Sequence, residues 1–436
     1  MGANLPTQPY LAFNPHPLRS ELYQELHNRP FPVLASPVRV SHIALLTPGV
    51  STLEEHEHLR DLAQRYSVNP PLEGASCYYQ SFGEFEVRWE KHTEFSTYTF
   101  ISPADDHQKF DETSLGLLPQ SWLEKMPGTL LIGVHVLVEN APLEATSRET
   151  LRQYFEGQRL IGCSSVDDLA VVWTAFRLHS DDFNRVLVLN RGLNGCQTGR
   201  MVQRILEIEA YRVMALLSVP TARELGSCVT RMDQELAQLI KLLSDIDDSD
   251  NERRLLKYLT ALAAEVEKYR ADTNYRFAAT NAYYELVVKR LNYFHRDEFE
   301  GVQSIPEFLE RRLTPAIRTC VSVQQRLEDL SRRISRAGEL LNTRVDLSLQ
   351  EQNQRLLVSM NKRSKVQLRM QQTVEGLSVA AISYYLIGLL KYMLAGVDLI
   401  LPEKSSGLII AASVPMIVGG VWWMTHRIKT RIMTEK

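Results

Sequence analysis

Short apolar runs alternate with amphipathic segments through the first part of the chain. Val38–Leu46 alternates between polar and apolar residues and then becomes wholly apolar, and residues 129–138 are apolar almost throughout. Both patterns are typical of strands, half-buried in the first case and fully buried in the second. The same criteria predict a helix over 52–66, a hairpin of 82–89 with 93–101, and strands at 170–176 and 185–189. Because strands and helices are interspersed, residues 1–198 predict a mixed α/β domain with one sheet.

The spacing of apolar residues becomes that of helices from residue 199 onward. Helices are predicted over 200–217, 223–246 and 253–294. A heptad seam follows at 4-3-4-3-4 spacing, formed by Val323, Leu327, Leu330, Ile334, Ala337 and Leu341. No proline occurs between Pro315 and Pro402, so we predict one stalk helix over 316–390 that begins just after Pro315. The alternative is two helices with a break near Gly338 or at 350–354.

Two uncharged apolar runs, at 377–390 and 408–424, lie close to the C-terminus. Each run, together with its flanking residues, approaches the roughly 20 residues that a helix needs to cross a bilayer. The pair predicts a transmembrane hairpin over 376–425. The alternative is a buried helical hairpin in the core of a soluble protein.

Basic residues flank this predicted hairpin on both sides. The residues expected at the membrane surface are Lys362, Arg363, Lys365 and Arg369 before the first run, and Arg427, Lys429 and Arg431 after the second. Lysine and arginine are retained on the cytoplasmic side of a membrane, so both termini should be cytosolic and the connector should lie outside. The five cysteines are scattered and odd in number, which fits reduced thiols in cytosol.

The segments together predict an α+β protein with four parts. These are a cytosolic α/β sheet domain (1–198), a helical bundle with a coiled-coil stalk (199–375), the two-helix transmembrane hairpin (376–425) and a basic cytosolic tail (426–436). The formal net charge of -3 gives no reason to expect nucleic acid as a partner. No arrangement of nucleophile and base can be argued from residue spacing, so we do not expect an enzyme.

Several stretches of the chain resemble one family of membrane-anchored proteins. These stretches are His27-Asn-Arg-Pro-Phe31, Trp89-Glu-Lys-His-Thr-Glu-Phe-Ser-Thr-Tyr-Thr-Phe100, Gly199-Arg-Met-Val-Gln-Arg-Ile-Leu-Glu-Ile-Glu-Ala-Tyr-Arg212, and Thr373-Val-Glu-Gly-Leu-Ser-Val-Ala-Ala-Ile-Ser-Tyr-Tyr385. They resemble the proteobacterial family known as domain of unknown function 3422, over nearly the whole chain. The resemblance implies a bacterial inner (cytoplasmic) membrane as the location, but it implies no activity.

The order of the predicted segments is similar to that of the CorA-type magnesium channels. Those channels are pentamers whose first span lines the pore, and a Gly-Met-Asn signature follows a tyrosine at the outer mouth. This chain has Tyr392-Met-Leu-Ala-Gly396 instead. The departure puts magnesium selection in doubt and leaves an oligomeric hairpin architecture open.

Small and polar residues recur along one face of the first predicted span. The candidates for lining a pore are Thr373, Gly376, Ala380, Ser383, Tyr384 and Ile387. The alternative is that this face packs against the second span, whose Gly419 and Gly420 are also small. Lys391 lies at the end of the first span, where it either extends to the headgroups or forms a ring of charges that repels cations.

Two weaker candidate sites lie in the predicted α/β domain. Strand alternation places Glu90, His92 and Glu94 on one face, where they are the candidate ligands of a divalent cation; a solvated hairpin face is the alternative. The glycine-rich turn at 191–200 is either an anion site at a helix N-terminus or a plain capped turn. We identify no cofactor other than this cation.

Two functional classes remain from the sequence. The first is a CorA-like, homo-oligomeric assembly that translocates ions across the lipid bilayer. The second is a non-conducting membrane-anchored scaffold or regulatory protein that binds a soluble partner.

Overall fold

The structure of the protein is a computed structural model. The structure describes residues 16–19, 22–23, 31–105, 109–140, 148–165, 167–245, 249–295, 301–397 and 406–434. The chain divides into two compact units, of which the first is Met1–Leu242 with Tyr258–Arg336 and the second is Leu243–Lys257 with Ala337–Lys436. The helical residues at 199–242 and 258–336 therefore belong to the same unit as the predicted α/β domain.

An eight-stranded mixed sheet forms the centre of the first unit. Its strands are β1 (Val38–Leu46), β2 (Cys77–Ser81), β3 (Glu86–Lys91), β4 (Phe95–Pro103), β5 (Thr129–Asn140), β6 (Ile161–Ser164), β7 (Ala170–Thr174) and β8 (Asn184–Asn190). They lie in the order β2-β3-β4-β1-β5-β8-β7-β6. The β5–β8 pair is parallel and the other pairs are antiparallel. The mixed α/β domain with one sheet that the sequence predicted is confirmed.

Helices precede, connect and follow the strands. The described helices are α1 (Thr52–Arg65), a 3-10 helix (Ser114–Leu117), α2 (Gln120–Leu123), α3 (Arg148–Tyr154), α4 (Gly195–Leu216), α5 (Val219–Asp245), α6 (Ser249–Leu291), α7 (Ile305–Val397) and α8 (Ser406–Thr434). Ser51 caps α1, because its hydroxyl accepts a hydrogen bond from the Glu54 amide at 3.2 Å.

The two faces of the sheet bury separate apolar cores because successive side chains of a strand point to opposite faces. One face packs against α4, the end of α6 and the start of α7, through residues such as Val134, Val136 and Ile205. The opposite face packs against α1 and α2 around Trp89, Tyr98 and other aromatic side chains. A third core, under α3, covers that face at β5, β7 and β8.

The apolar seam of the stalk is buried inside the chain. Its exposures are 4% at Val323, 1% at Leu327, 0% at Leu330, 4% at Ile334, 5% at Ala337 and 1% at Leu341. Asp233 of α5 accepts hydrogen bonds from Arg326 and Arg333 of α7, at 3.2 and 2.7 Å. The seam therefore packs against the chain's own helices, so it gives no support to an oligomeric coiled coil.

Helix α7 is one continuous element of 93 residues, without the break that the sequence left open. It begins ten residues before Pro315, so the prediction that the helix starts just after this proline is wrong. A proline inside a helix loses one backbone hydrogen bond. Leu309, Leu313 and Ile317, which are buried against the sheet on both sides of Pro315, offset that loss.

The later part of α7 exposes apolar side chains. Examples between residues 345 and 370 are Leu356 at 61% and Met360 at 65%. Within the described residues, the segment Ile305–Leu394 is the one helix whose length and composition suit a membrane crossing. Only 6% of its most apolar window is buried, which is unlike the core helix of a globular domain. The hairpin with 408–424 stays a prediction.

Candidate functional site

A cavity of about 90 Å³ lies between the sheet and α4. Its floor is a polar patch on β1, β3 and β4. The strand pairing aligns Thr99 with both His42 and Arg88, and aligns Thr97 with Glu90. These positions therefore occupy one face of three adjacent strands. The volume accommodates about six to nine water molecules, at roughly 10–15 Å³ each.

His42 is the most unusual side chain in the cavity lining. It is 5% exposed, and its Nδ1 lies 2.8 Å from the Thr99 hydroxyl. Its Nε2 has no hydrogen-bond partner among the described residues. Burial, followed by the nearby His92 and Arg88, lowers the pKa of His42 to about 3. The imidazole is therefore neutral at physiological pH and presents an unsatisfied polar atom, which is costly unless a ligand pairs with it.

A buried ion pair lies beside this histidine. Nη2 of Arg88 donates to Oε1 of Glu90 at 2.9 Å, and the two side chains are only 6% and 14% exposed. Across the cavity, α4 contributes Gln203 and Glu207 together with apolar side chains. Glu207 is itself paired with Arg290 of α6. The cavity thus combines fixed charges of both signs with an apolar wall.

The rim of the cavity is formed where residues 32–34 cross the start of α4. The Leu34 amide donates to the Gly195 carbonyl at 3.0 Å. A Cβ atom at position 199 would lie 1.7 Å from the Pro32 carbonyl oxygen, so only glycine fits there. The start of α4 is a complete capping box between Asn194 and Gln197. The turn at 191–200 is therefore a capped turn.

The polar side chains of the lining are of types that can bind a ligand. Among its described residues there is no serine, cysteine or lysine, and His42 is hydrogen-bonded to a threonine rather than to an activated nucleophile. Arg88, Glu90 and the free nitrogen of His42 are suited to orienting a small polar molecule. Val202 and Leu206 would contact its apolar part.

The comparison with known proteins identifies the family but not an activity. Residues 14–432 match the family described as "Protein of unknown function (DUF3422)". The chain belongs to this family. No curated protein and no solved structure matches it.

The three metal candidates of this DUF3422 chain do not come together. Glu90 and His92 line the cavity, but Glu94 contacts α6, where it binds Arg276 and Tyr283. Strand β3 ends at Lys91, and the turn that follows breaks the alternation on which the prediction relied. Among the described residues, no group of three or more metal-binding side chains is present.

The pore-lining candidates share one face of α7 but differ in exposure along it. Thr373, Gly376, Ala380 and Tyr384 are exposed, Ile387 is half-buried and Ser383 is 4% exposed. The Ser383 hydroxyl donates to the Val379 carbonyl at 2.7 Å within its own helix. The less exposed positions recur at helical spacing: 375, 379, 383 and 387. The covered face therefore includes only the last part of the predicted pore face.

The basic candidates at the predicted membrane surface are exposed where their side chains are described. These are Lys362, Arg363, Lys365, Arg369 and Arg427. The side chains of Lys429 and Arg431 lie outside the described residues, as does the connector over 398–405. Lys391 is exposed at the end of the apolar window.

His42 and Arg88 were not singled out from the sequence. The signal that could have pointed to the cavity is that His42 takes an apolar position of the alternation in β1, between Val40 and Ala44. Arg88 occupies the same face as Glu90, two residues away.

Proposed function

We propose that this protein is a membrane-anchored binding protein, which is the second of the two classes inferred from the sequence. Its α/β domain would bind a small polar ligand in the cavity between the sheet and α4. The observation that carries the proposal is the buried Nε2 of His42, which lines this cavity without a partner among the described residues. A ligand that pairs with this nitrogen would remove the cost of burying it.

The membrane anchor is the second part of the proposal. The apolar end of α7 and helix α8 would form the transmembrane hairpin, with both termini in the cytosol of a bacterial cell. Support comes from large apolar side chains that face outward, including Tyr385, Leu389, Trp422 and Trp423. A soluble protein rarely leaves so extensive an apolar surface uncovered. Both helices have a covered face at helical spacing, which is what a packed pair needs.

We also propose that the protein forms a homo-oligomer, through exposed apolar side chains of α7 rather than through the heptad seam. The seam at 323–341 is satisfied within the chain, whereas Leu349, Leu356 and Met360 of α7 are exposed. A second copy would cover these side chains through helix packing. CorA-like ion translocation is the competing hypothesis, and the burial of Ser383 in a single chain favours helix packing at that position over a pore lining.

The binding experiment compares two buried histidines. His42 and His58 both have an unpartnered Nε2, but His58 is stacked on Trp122, outside the cavity. The full chain in phosphatidylcholine nanodiscs is titrated with amino acids, small carboxylic acids and small amides, and thermal shifts are recorded. We expect at least one compound to stabilise the wild type and His58→Gln but not His42→Gln.

If no compound shifts the melting temperature of the wild type, ligand binding in this cavity is contradicted. It is also contradicted if His42→Gln and His58→Gln lose the shift equally. Ion flux is measured on the same protein in vesicles. Flux that depends on Ser383 would favour the translocating assembly instead.

A further inference from the structure

A second cavity, of about 470 Å³, lies at the other end of α4. It is a groove between the ends of β6 and β7, the last turns of α4 and the first turns of α7. Its volume is within the roughly 300–1,000 Å³ that is typical of small-molecule sites. Its lining residues differ from those of the His42 cavity, so it does not depend on the function proposed above. We call it the arginine groove.

Four arginines line the arginine groove: Arg159, Arg177, Arg212 and Arg312. Among the described lining residues there is no carboxylate. The side chains of Arg159, Arg177 and Arg312 are exposed and have no ion pair or hydrogen bond within the described part of the chain. Arginines with no anion between them repel one another and attract anions.

Arg212 is fixed in place, unlike the other three. Its Nε donates to the Glu209 carboxylate at 3.1 Å, and Glu209 is only 2% exposed. The Arg212 guanidinium carbon also lies 4.8 Å from the centre of the Phe176 ring. Because Glu209 balances the charge of Arg212, the uncompensated charge of the groove belongs to the other three arginines.

Stacked aromatic rings form part of the apolar wall of the arginine groove. Phe176 stacks on Phe308 of α7, with ring centres 5.2 Å apart and planes 7° apart. Ile161, Leu309 and Leu313 lie beside this pair. The groove thus has a rigid apolar wall next to three unpaired cations.

We propose that the arginine groove binds a phosphate-bearing anion. The planar guanidinium fork matches the oxygens of a phosphate, and arginine is favoured where such groups are recognised. Three uncompensated positive charges suit a ligand with two or more negative charges better than a single carboxylate. The apolar wall would contact the organic part of a phosphate ester. Such an ester is either a soluble phosphorylated metabolite or the headgroup of an anionic lipid.

The test is isothermal titration of the full chain in phosphatidylcholine nanodiscs. The two probes are tripolyphosphate, for a free phosphate, and water-soluble dihexanoyl phosphatidic acid, for a lipid headgroup. We expect saturable binding of at least one probe. Arg177→Ala and Arg312→Ala should each weaken it by about tenfold, the effect of losing one charge-assisted contact. Tighter binding of tripolyphosphate assigns a soluble ligand, and tighter binding of the phosphatidic acid assigns a lipid.

Arg311→Ala is the matched control. Arg311 is the neighbour of Arg312 on α7, but it pairs with Glu307 at 3.2 Å and is not part of the groove lining. Its loss should change binding by less than about twofold, as expected for an exposed surface charge that is already paired with a carboxylate. The proposal is overturned if neither probe binds, or if Arg311→Ala weakens binding as much as Arg312→Ala does.

Discussion

Glu94 accepts a hydrogen bond from Arg276, with Oε1 and Nη1 2.7 Å apart. Its second oxygen accepts the hydroxyl of Tyr283 at 3.0 Å. This carboxylate joins the turn between β3 and β4 to helix α6, and both of its oxygens are occupied. Glu94 therefore has a structural role that its spacing from Glu90 and His92 did not indicate.

Truncation of Glu94 should destabilise the first unit. Glu94→Ala would leave Arg276 with no anion at a site where the two side chains are 14% and 21% exposed. We expect a loss of about 1–3 kcal/mol in the free energy of unfolding. Urea unfolding, followed by the fluorescence of the buried tryptophans, measures it. Glu351→Ala is the control, because its pair with Arg355 is 3.9 Å long and exposed, and it should cost less than about 0.5 kcal/mol. Equal losses would refute a structural role for Glu94.

Replacement of Gly199 by alanine should disturb the rim of the His42 cavity. The new methyl group would collide with the Pro32 carbonyl oxygen, so residues 32–34 must move away from α4. We expect a loss of about 1–3 kcal/mol, as for other overpacked sites, and weaker ligand binding. Gly226→Ala is the control within a helix, since its nearest neighbour would be 3.7 Å away. That variant should be neutral or gain up to about 1 kcal/mol. A Gly199→Ala protein as stable as the wild type would contradict the tight crossing.

Acid should destabilise the protein partly through His42. The pKa of His42 is about 3 in the folded state, against 6.5 as the ordinary value. Below pH 6.5, His42 therefore binds a proton in the unfolded chain but not in the folded chain. The free energy of unfolding consequently falls as the pH drops from 6.5 toward 3. Between pH 7 and pH 5 this effect amounts to about 2 kcal/mol.

His42→Gln separates this effect from those of His58 and His135, whose pKa values burial also lowers to about 4. The variant should lose about 2 kcal/mol less than the wild type between pH 7 and pH 5. Arg88, His92, Glu90 and Glu207 line the same cavity in both proteins, so their contributions cancel to first order. Identical acid sensitivity in the two proteins would show that His42 is protonated in the fold.

Two leucines of α7 should have opposite effects on stability and assembly. Leu330 is fully buried and Leu356 is 61% exposed. Leu330→Ala should cost about 2–5 kcal/mol without changing the mass of the assembly in mild detergent. Leu356→Glu should leave the stability of the chain nearly unchanged and should reduce that mass. A wild-type monomer mass would rule out the oligomer.

A reporter fused after Lys436 tests the proposed topology. The basic residues that flank the two apolar segments predict that this end lies in the cytosol. A reporter that is active only in the cytosol should therefore be active, and one that is active only in the periplasm should be silent. The opposite result would reverse the orientation of the hairpin.

The strands that could be predicted from the sequence are those with a strong burial pattern. Residues 38–46 and 129–138 correspond to β1 and β5, which are central and almost wholly buried. Strands β2 and β6 were missed, because they are short, lie at the two edges of the sheet and have little apolar periodicity. Local patterns do not determine which strands pair with one another, so the parallel β5–β8 pair was not predicted either.

The candidate sites could likewise be predicted only where local spacing determines which side chains come together. Glu90 and His92 reach the cavity, but Glu94 does not, because a strand that ends at Lys91 cannot extend its alternation further. The arginine groove combines residues as distant as Arg159 and Arg312. Such a site depends on tertiary contacts between β6, β7, α4 and α7, which no local spacing reveals.

The position of the sheet within the chain has a consequence for how the protein is made. Its last strand ends at Asn190 and the α7 residues in its core end near Ile317, whereas the apolar end of α7 begins near residue 377. At about 5–20 residues per second, a ribosome needs roughly 3–12 s to cover the interval between residues 317 and 377. The sheet and its helices can therefore begin to fold before the proposed anchor is synthesised. On the proposed topology, a domain that folds before its anchor is made stays on the ribosome's side of the membrane, and both cavities would lie there.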